Sequence, residues 1–92
     1  KGGLMQLTKA LAIEWAEYNI NVNCVAPTFI KTPMTEPMFE DPYFLEDVLH
    51  RIPMGRLGKV NDLFGAVVYL ASESSNLVTG QSIIVDGGWT VW

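Results

Sequence analysis

The side chains able to do chemistry in this 92-residue chain are few and scattered. The sole histidine, His50, stands beside Arg51 in a stretch that also holds Asp41, Glu46 and Asp47. At that spacing these groups read as the solvated side of a short helix. Cys24 is the single cysteine. It excludes an internal disulfide and a cysteine zinc site, and is most simply a small core side chain. No histidine, cysteine and carboxylate cluster has metal-ligand spacing. Gly55, Gly58, Gly80, Gly87 and Gly88 do not make the G-x-G-x-x-G of a phosphate-cradling loop and read as turn glycines. From its residues alone the chain shows no complete active site.

The elements that must position these residues follow from periodicity. From Gly2 to about Asn19, Leu4, Leu7, Leu11, Trp15 and Tyr18 recur at helical spacing, and Met5, Ala12 and Ala16 widen the stripe. So wide an apolar arc buries either within its own domain or between a sheet and a partner subunit, and Ala12 and Ala16 permit close approach of another helix. Residues 19–26 alternate as a strand that Pro27 ends, with Asn21 and Asn23 needing hydrogen-bond partners if buried. Pro27 to Met38 is irregular. Asp41-Pro42 reads as an N-cap and first helical residue, opening a short helix to about Arg51 with Phe44, Leu45, Val48 and Leu49 on its apolar side. Val60 to about Ser72 is a second strong helix, with Asp62 in its first turn where the dipole favours an acid. Ser82–Val85 is a strand closed by Asp86-Gly87-Gly88. Trp89 and Trp92 in the tail should pack against something. Strands near 20–26 and 82–86, joined through a helix, are expected to be adjacent and parallel. Pro33 to Arg51, a long insertion after a strand, is placed to serve as a mobile lid.

Composition bounds the function. The chain is 49% hydrophobic and 17% charged, which describes a packed core. A net charge of −4 disfavours nucleic acid and anionic membrane as partners. No apolar run approaches the ~18 residues of a membrane span. A lone cysteine and no signal-peptide pattern make the cytoplasm the expected compartment. The chain also starts mid-pattern, with helical spacing already running at Leu4, so it is expected to be the C-terminal part of a longer protein.

Six motifs occur in order: Lys1-Gly2-Gly3-Leu4, Asn21-Val22-Asn23-Cys24-Val25-Ala26-Pro27, Thr32-Pro33-Met34, Pro53-Met54-Gly55-Arg56-Leu57-Gly58, Thr79-Gly80-Gln81 and Val85-Asp86-Gly87-Gly88. Together they closely resemble the C-terminal half of short-chain dehydrogenases/reductases, over nearly the whole chain. Within that family the likeness is greatest to the 3-oxoacyl-carrier-protein reductase and the sugar or polyol dehydrogenase group. The resemblance implies an α/β fold, the C-terminal part of a Rossmann-type doubly wound parallel sheet. It implies NAD or NADP as cofactor, a small hydroxy or keto substrate such as a sugar acid, polyol or ketoacyl compound, and a symmetric homotetramer.

The resemblance also assigns residues. Lys1 matches the family's catalytic lysine, which follows the catalytic tyrosine by four residues. On a helix, i and i+4 share one face, so the lysine can lower the tyrosine pKa and hold the ribose hydroxyls of the cofactor while the tyrosine exchanges the proton. The dinucleotide loop, the catalytic serine and that tyrosine would precede Lys1, and the chain alone is expected to be inactive. Pro27, Thr28, Ile30 and Thr32 match the cofactor loop. Backbone groups near Ile30 and the Thr32 hydroxyl would hold the nicotinamide carboxamide and nearby phosphate. The family usually has glycine where Thr28 stands. Glycine permits a positive φ and close approach, so Thr28 points to an altered loop geometry or site. Met34, Met38 and Phe39 would face the substrate from the lid. The rival class is a non-catalytic fragment or an assembly module.

Overall fold

The computed structural model describes residues 2–92. They divide into two compact units. One comprises the chain up to Ala26 together with Gly65–Ile84, the other Pro27–Phe64 with Val85–Trp92. Lys1 lies outside the described residues.

In the first unit, helix α1 runs over Gly2–Trp15 and tightens into a 3-10 turn at Ala16–Tyr18. Asn19 ends it in the left-handed conformation, φ 60°, with its N–H on the Ala16 carbonyl. Asparagine tolerates that region because its side chain bonds locally. Thr8 and Ala12 are the buried residues of α1. Thr8 is buried without loss, because its hydroxyl donates to the Leu4 carbonyl at 2.8 Å. Ala12 meets Gly80, where an added Cβ would come within 3.4 Å of the alanine methyl. Ala12 therefore serves close backbone approach inside this unit, whereas Ala16 is exposed. Leu4, Leu7, Ile13 and Tyr18 stay exposed.

Strand β1 spans Cys24–Pro27 and strand β2 Ser82–Val85, and the two form one sheet. Gly80 N–H donates to the Val22 carbonyl, Cys24 N–H to Gln81 and Thr28 N–H to Val85. The paired numbers rise in step, so the strands run parallel, as the sequence led one to expect. β1 is shorter than the expected 19–26. Before Cys24, side chains join the remaining backbone bond from Gly80 to Val22. Val22 N–H donates to Thr79 Oγ1, and Asn21 Nδ2 donates to the Ser75 and Asn76 carbonyls. Asn23 Nδ2 donates to the Val78 carbonyl and its Oδ1 accepts from Gln81 N–H. Both asparagines thus have the partners their position demanded.

Helix α2 occupies Pro42–Arg51, the range the Asp41-Pro42 signal set. Asp41 Oδ1 accepts from Tyr43 N–H at 2.9 Å, and the N–H of Ile52 closes the other end on Leu49. The stretch read as irregular contains a 3-10 turn over Glu36–Glu40. The second long helix begins as a 3-10 turn, Val60–Leu63, and continues as α3 over Phe64–Leu70. The core of the second unit is Phe39, Val48 and Ile52, with Phe29, Phe44, Leu45, Leu57 and Trp89 packed on it. Trp89 meets Phe29 edge-on, 4.6 Å between centroids. Trp92 donates from Nε1 to the Arg51 carbonyl yet remains 84% exposed, so only one tail tryptophan is a packing residue.

Candidate functional site

All the loop residues assigned to the cofactor belong to the second unit, at the carboxyl end of β1. That end of a parallel strand is where open α/β sheets bind ligands. Pro27 is the last residue of the strand, and Thr28 N–H continues the ladder to Val85 at 3.3 Å. The positive φ falls one residue later than the glycine argument placed it. Phe29, not Thr28, is left-handed, at φ 53°. Threonine is tolerated after the proline because position 28 does not need that conformation. Phenylalanine carries it instead, held by its rings against Phe39 and Trp89 and by its carbonyl, which accepts from Gly58 N–H at 3.0 Å.

Ile30 then forms a parallel bridge with Gly58. The bridge bonds are Gly58 N–H to the Phe29 carbonyl and Lys31 N–H to the Gly58 carbonyl at 2.8 Å. A parallel bridge made by the flanking groups turns Ile30's own N–H and C=O to the opposite side. Glycine is required opposite, because a Cβ at Gly58 would run into Ile30 Cδ1. Thr32 opens the next turn, its carbonyl accepting from Glu36 N–H at 2.8 Å and from Thr35 N–H at 3.1 Å. Its Oγ1 lies 3.3 Å from Thr35 Oγ1. Thr35 therefore belongs to this loop, although the sequence reading had not singled it out. The only signal was its place three residues after Thr32, a spacing that lets hydroxyl and backbone groups meet.

A cleft of about 130 Å³ opens beside this loop, lined by Thr28, Ile30, Arg56, Gly58, Asp62 and Asp86 among others. Arg56 grips Asp62 with two parallel bonds, 2.8 Å and 3.1 Å, and Asp62 also accepts from Lys59 N–H at 2.8 Å. The Arg56 guanidinium, helped by the Lys59 N–H, holds the Asp62 carboxyl down to about 2. Asp86 is held below the usual carboxylate range by the Thr90 hydroxyl first and the Gly88 N–H second, at 2.7 Å and 2.9 Å. Both acids thus remain ionised and have structural partners, so neither is arranged as a proton donor.

The lid residues separate. Met34 is 88% exposed and Met38 51%, whereas Phe39 is 8% exposed. Phe39 is a core residue and not the substrate-facing lid residue expected from the sequence: it stacks on Phe44 at 5.8 Å, and its ring is not available to face a substrate. An apolar residue in a lid and one in a core look alike in sequence, and packing alone separates them. Lys1 lies outside the described residues. His50 is exposed, as expected. Among the described residues, no helix is long and apolar enough to cross a membrane.

A family model described as enoyl-(acyl carrier protein) reductase matches residues 1–90. The chain belongs to the short-chain dehydrogenase/reductase family. This short-chain dehydrogenase/reductase chain is 48% identical over 91 residues to a tropinone reductase homolog of Arabidopsis thaliana, covering 99% of itself and 34% of that protein. It is 46% identical over 89 residues to 2-dehydro-3-deoxy-D-gluconate 5-dehydrogenase of Escherichia coli, covering 97% of itself and 35% of the enzyme. Its structure aligns with a gluconate 5-dehydrogenase from Burkholderia cenocepacia, solved in complex with NADP and tartrate. That match has a TM-score of 0.95 at 39% identity, and covers 100% of this chain and 36% of that one. The chain thus spans about a third of the length of the relatives it matches, and its fold is the α/β Rossmann type of this family.

Proposed function

We propose that the protein carrying this chain is an NAD(P)-dependent oxidoreductase acting on a small alcohol or carbonyl compound, a sugar acid or polyol being the favoured class. On this reading residues 1–92 are the C-terminal part of one NAD(P)-binding domain. The observation that carries it is the geometry of Ile30. Its N–H and C=O face away from the Gly58 bridge, at the carboxyl end of a parallel strand, and so offer one donor and one acceptor. That pair fits a carboxamide, which needs one of each in fixed geometry.

The bound nicotinamide supplies hydride transfer. Ile30 orients the carboxamide through its backbone, Thr32 offers its hydroxyl to the carboxamide or the adjacent phosphate, and Pro27 and Thr28 set the direction of the loop. Lys1 holds the ribose hydroxyls and lowers the pKa of a tyrosine four residues before it, which exchanges the proton with substrate oxygen. Met34 and Met38 line the substrate side, where thioether side chains adapt to varied shapes. The sugar-acid preference draws on the relatives' names and on the tartrate-bound neighbour. The wide apolar stripe of α1 and the family resemblance support assembly as a homotetramer, and the lone Cys24 supports a reducing, cytoplasmic setting.

The test is NAD(P)H oxidation by the protein carrying this chain, with sugar acids, polyols and small ketones. Lys1→Met should lower turnover by about 10²–10⁴-fold, the usual worth of acid–base assistance. Failure to bind either dinucleotide would overturn the proposal, and an unimpaired Lys1→Met enzyme would remove Lys1 from the site.

A further inference from the structure

We infer that Thr35 is a positioning residue for nicotinamide, acting through the two loop residues that hold it; this rests on the cofactor reading of the loop given above. Thr35 Oγ1 reaches both of them. It donates to the Ile30 carbonyl at 2.6 Å and accepts from the Thr32 N–H at 2.9 Å. A hydroxyl has one proton and two lone pairs. The proton goes to Ile30, the shortest of its contacts. The Thr32 carbonyl at 3.3 Å therefore receives none from it and is served by the Thr35 and Glu36 amides. The remaining lone pair of Thr35 faces Thr32 Oγ1 at 3.3 Å.

Two consequences follow for the loop. The Ile30 carbonyl has one lone pair fixed by Thr35, so its other lone pair points in a set direction before any ligand arrives. With the Thr35 proton committed to Ile30, Thr32 is the donor in the 3.3 Å contact between the two hydroxyls, and its proton rests on Thr35 Oγ1 until a better acceptor is present. A carboxamide or phosphate oxygen is such an acceptor. One side chain thus presets an acceptor at Ile30 and a transferable donor at Thr32. Preorganisation of this kind raises affinity by removing the ordering cost from the binding step. The Thr35 side chain is half-buried.

The experiment is a direct binding titration on the protein carrying this chain, with no turnover involved. The two probes are NADPH and 2′-phospho-ADP-ribose, the same nucleotide without its nicotinamide. NADH and ADP-ribose replace them if the protein prefers the unphosphorylated pair. Wild type should bind the dinucleotide more tightly than the fragment. Thr35→Val, which keeps the shape and removes the hydroxyl, should weaken the dinucleotide roughly tenfold or more, as two lost hydrogen bonds imply. It should weaken the fragment severalfold less, since the fragment keeps a phosphate for Thr32 but has no carboxamide for Ile30. Thr35→Ser, which restores the hydroxyl, should recover the dinucleotide affinity to within about threefold. Equal weakening of both probes by Thr35→Val, no weakening of either, or no recovery in Thr35→Ser would each overturn the inference. If Thr35→Val does not fold, the wild type still decides. Without ligand, the Thr32 amide should exchange with solvent far more slowly than in an unstructured chain, and free exchange would refute a preset loop. If wild type binds dinucleotide and fragment equally, the cofactor reading of the loop fails and Thr35 falls with it. If wild type discriminates and Thr35→Val keeps the same ratio of the two affinities, Thr35 alone is excluded.

Discussion

Phe29 holds its backbone where few non-glycine residues go, and the surrounding packing explains why it stays there. A left-handed phenylalanine is strained by ~1–2 kcal/mol. Against this stand its edge-on contacts with Phe39 and Trp89 and the bond from Gly58. Phe29→Gly relieves the strain but empties a partly buried aromatic position, so a net loss of about 1–3 kcal/mol is expected in urea unfolding. Gly87 is a second such point. At φ 63° an added Cβ would sit 2.8 Å from Ile52 Cγ2, in the core of the second unit. Gly87→Ala should therefore destabilise by ~1–3 kcal/mol, again by urea unfolding. Asp62 sets a pH dependence. Its carboxyl is held to about 2 in the folded chain, against ~3.9 when unfolded. Its contribution is complete above roughly pH 4 and is lost as pH falls through about 2. Wild type should thus exceed Asp62→Asn in stability near neutral pH, by a small margin because the ion pair is exposed, and the margin should close in acid.

The segment 33–51 divides between Met38 and Phe39, the latter already part of the core. Before that point stand exposed Met34 and Met38. After it comes α2, whose Val48, with Ile52 just beyond the helix, belongs to the core cluster. A uniformly mobile lid does not fit that packing. Amide exchange is expected to be slow from Leu45, whose N–H donates to the Asp41 carbonyl, onward through α2, and faster at Met38 in the exposed 3-10 turn before it. Equal rates on the two sides would refute this division. The Asp41 cap matters to the same element, since it serves the Tyr43 N–H and approaches that of Phe44 at 3.4 Å. Asp41→Ala should lower stability by ~0.5–2 kcal/mol and speed exchange in the first turn of α2.

At the scale of the molecule, what is left uncovered matters more than what is packed. Leu4, Leu7, Ile13 and Tyr18 on α1 and Phe64, Val67 and Val68 at α3 are more than half exposed. Apolar faces this extensive are covered in a working protein. The 92-residue chain expressed alone should bind a hydrophobic dye and self-associate in sedimentation. The protein carrying it should bind little dye and sediment as a tetramer. A protein carrying this chain that sediments as a monomer would contradict the assembly reading.

Local patterns determined the elements. Helical spacing gave α1, and Asp41-Pro42 marked α2 to the residue, because caps and periodicity act over a few residues of chain. The parallel pairing of two strands was legible too, since a long intervening helix leaves little other choice. The ordered motifs carried the family, and with it the loop at Ile30 and Thr32. Only the tertiary structure decided the rest. Phe39 is core although its neighbour Met38 is exposed, because burial depends on what arrives from elsewhere in the chain. The left-handed residue is Phe29 rather than Thr28 because the bridge to Gly58 and the Trp89 ring fix it across distant sequence. The asparagines before Cys24 shorten β1 because carbonyls more than fifty residues away accept their side chains. Thr35 joins the site because one hydroxyl meets groups of two other residues at once, a three-way geometry that its position in the chain permits but does not impose.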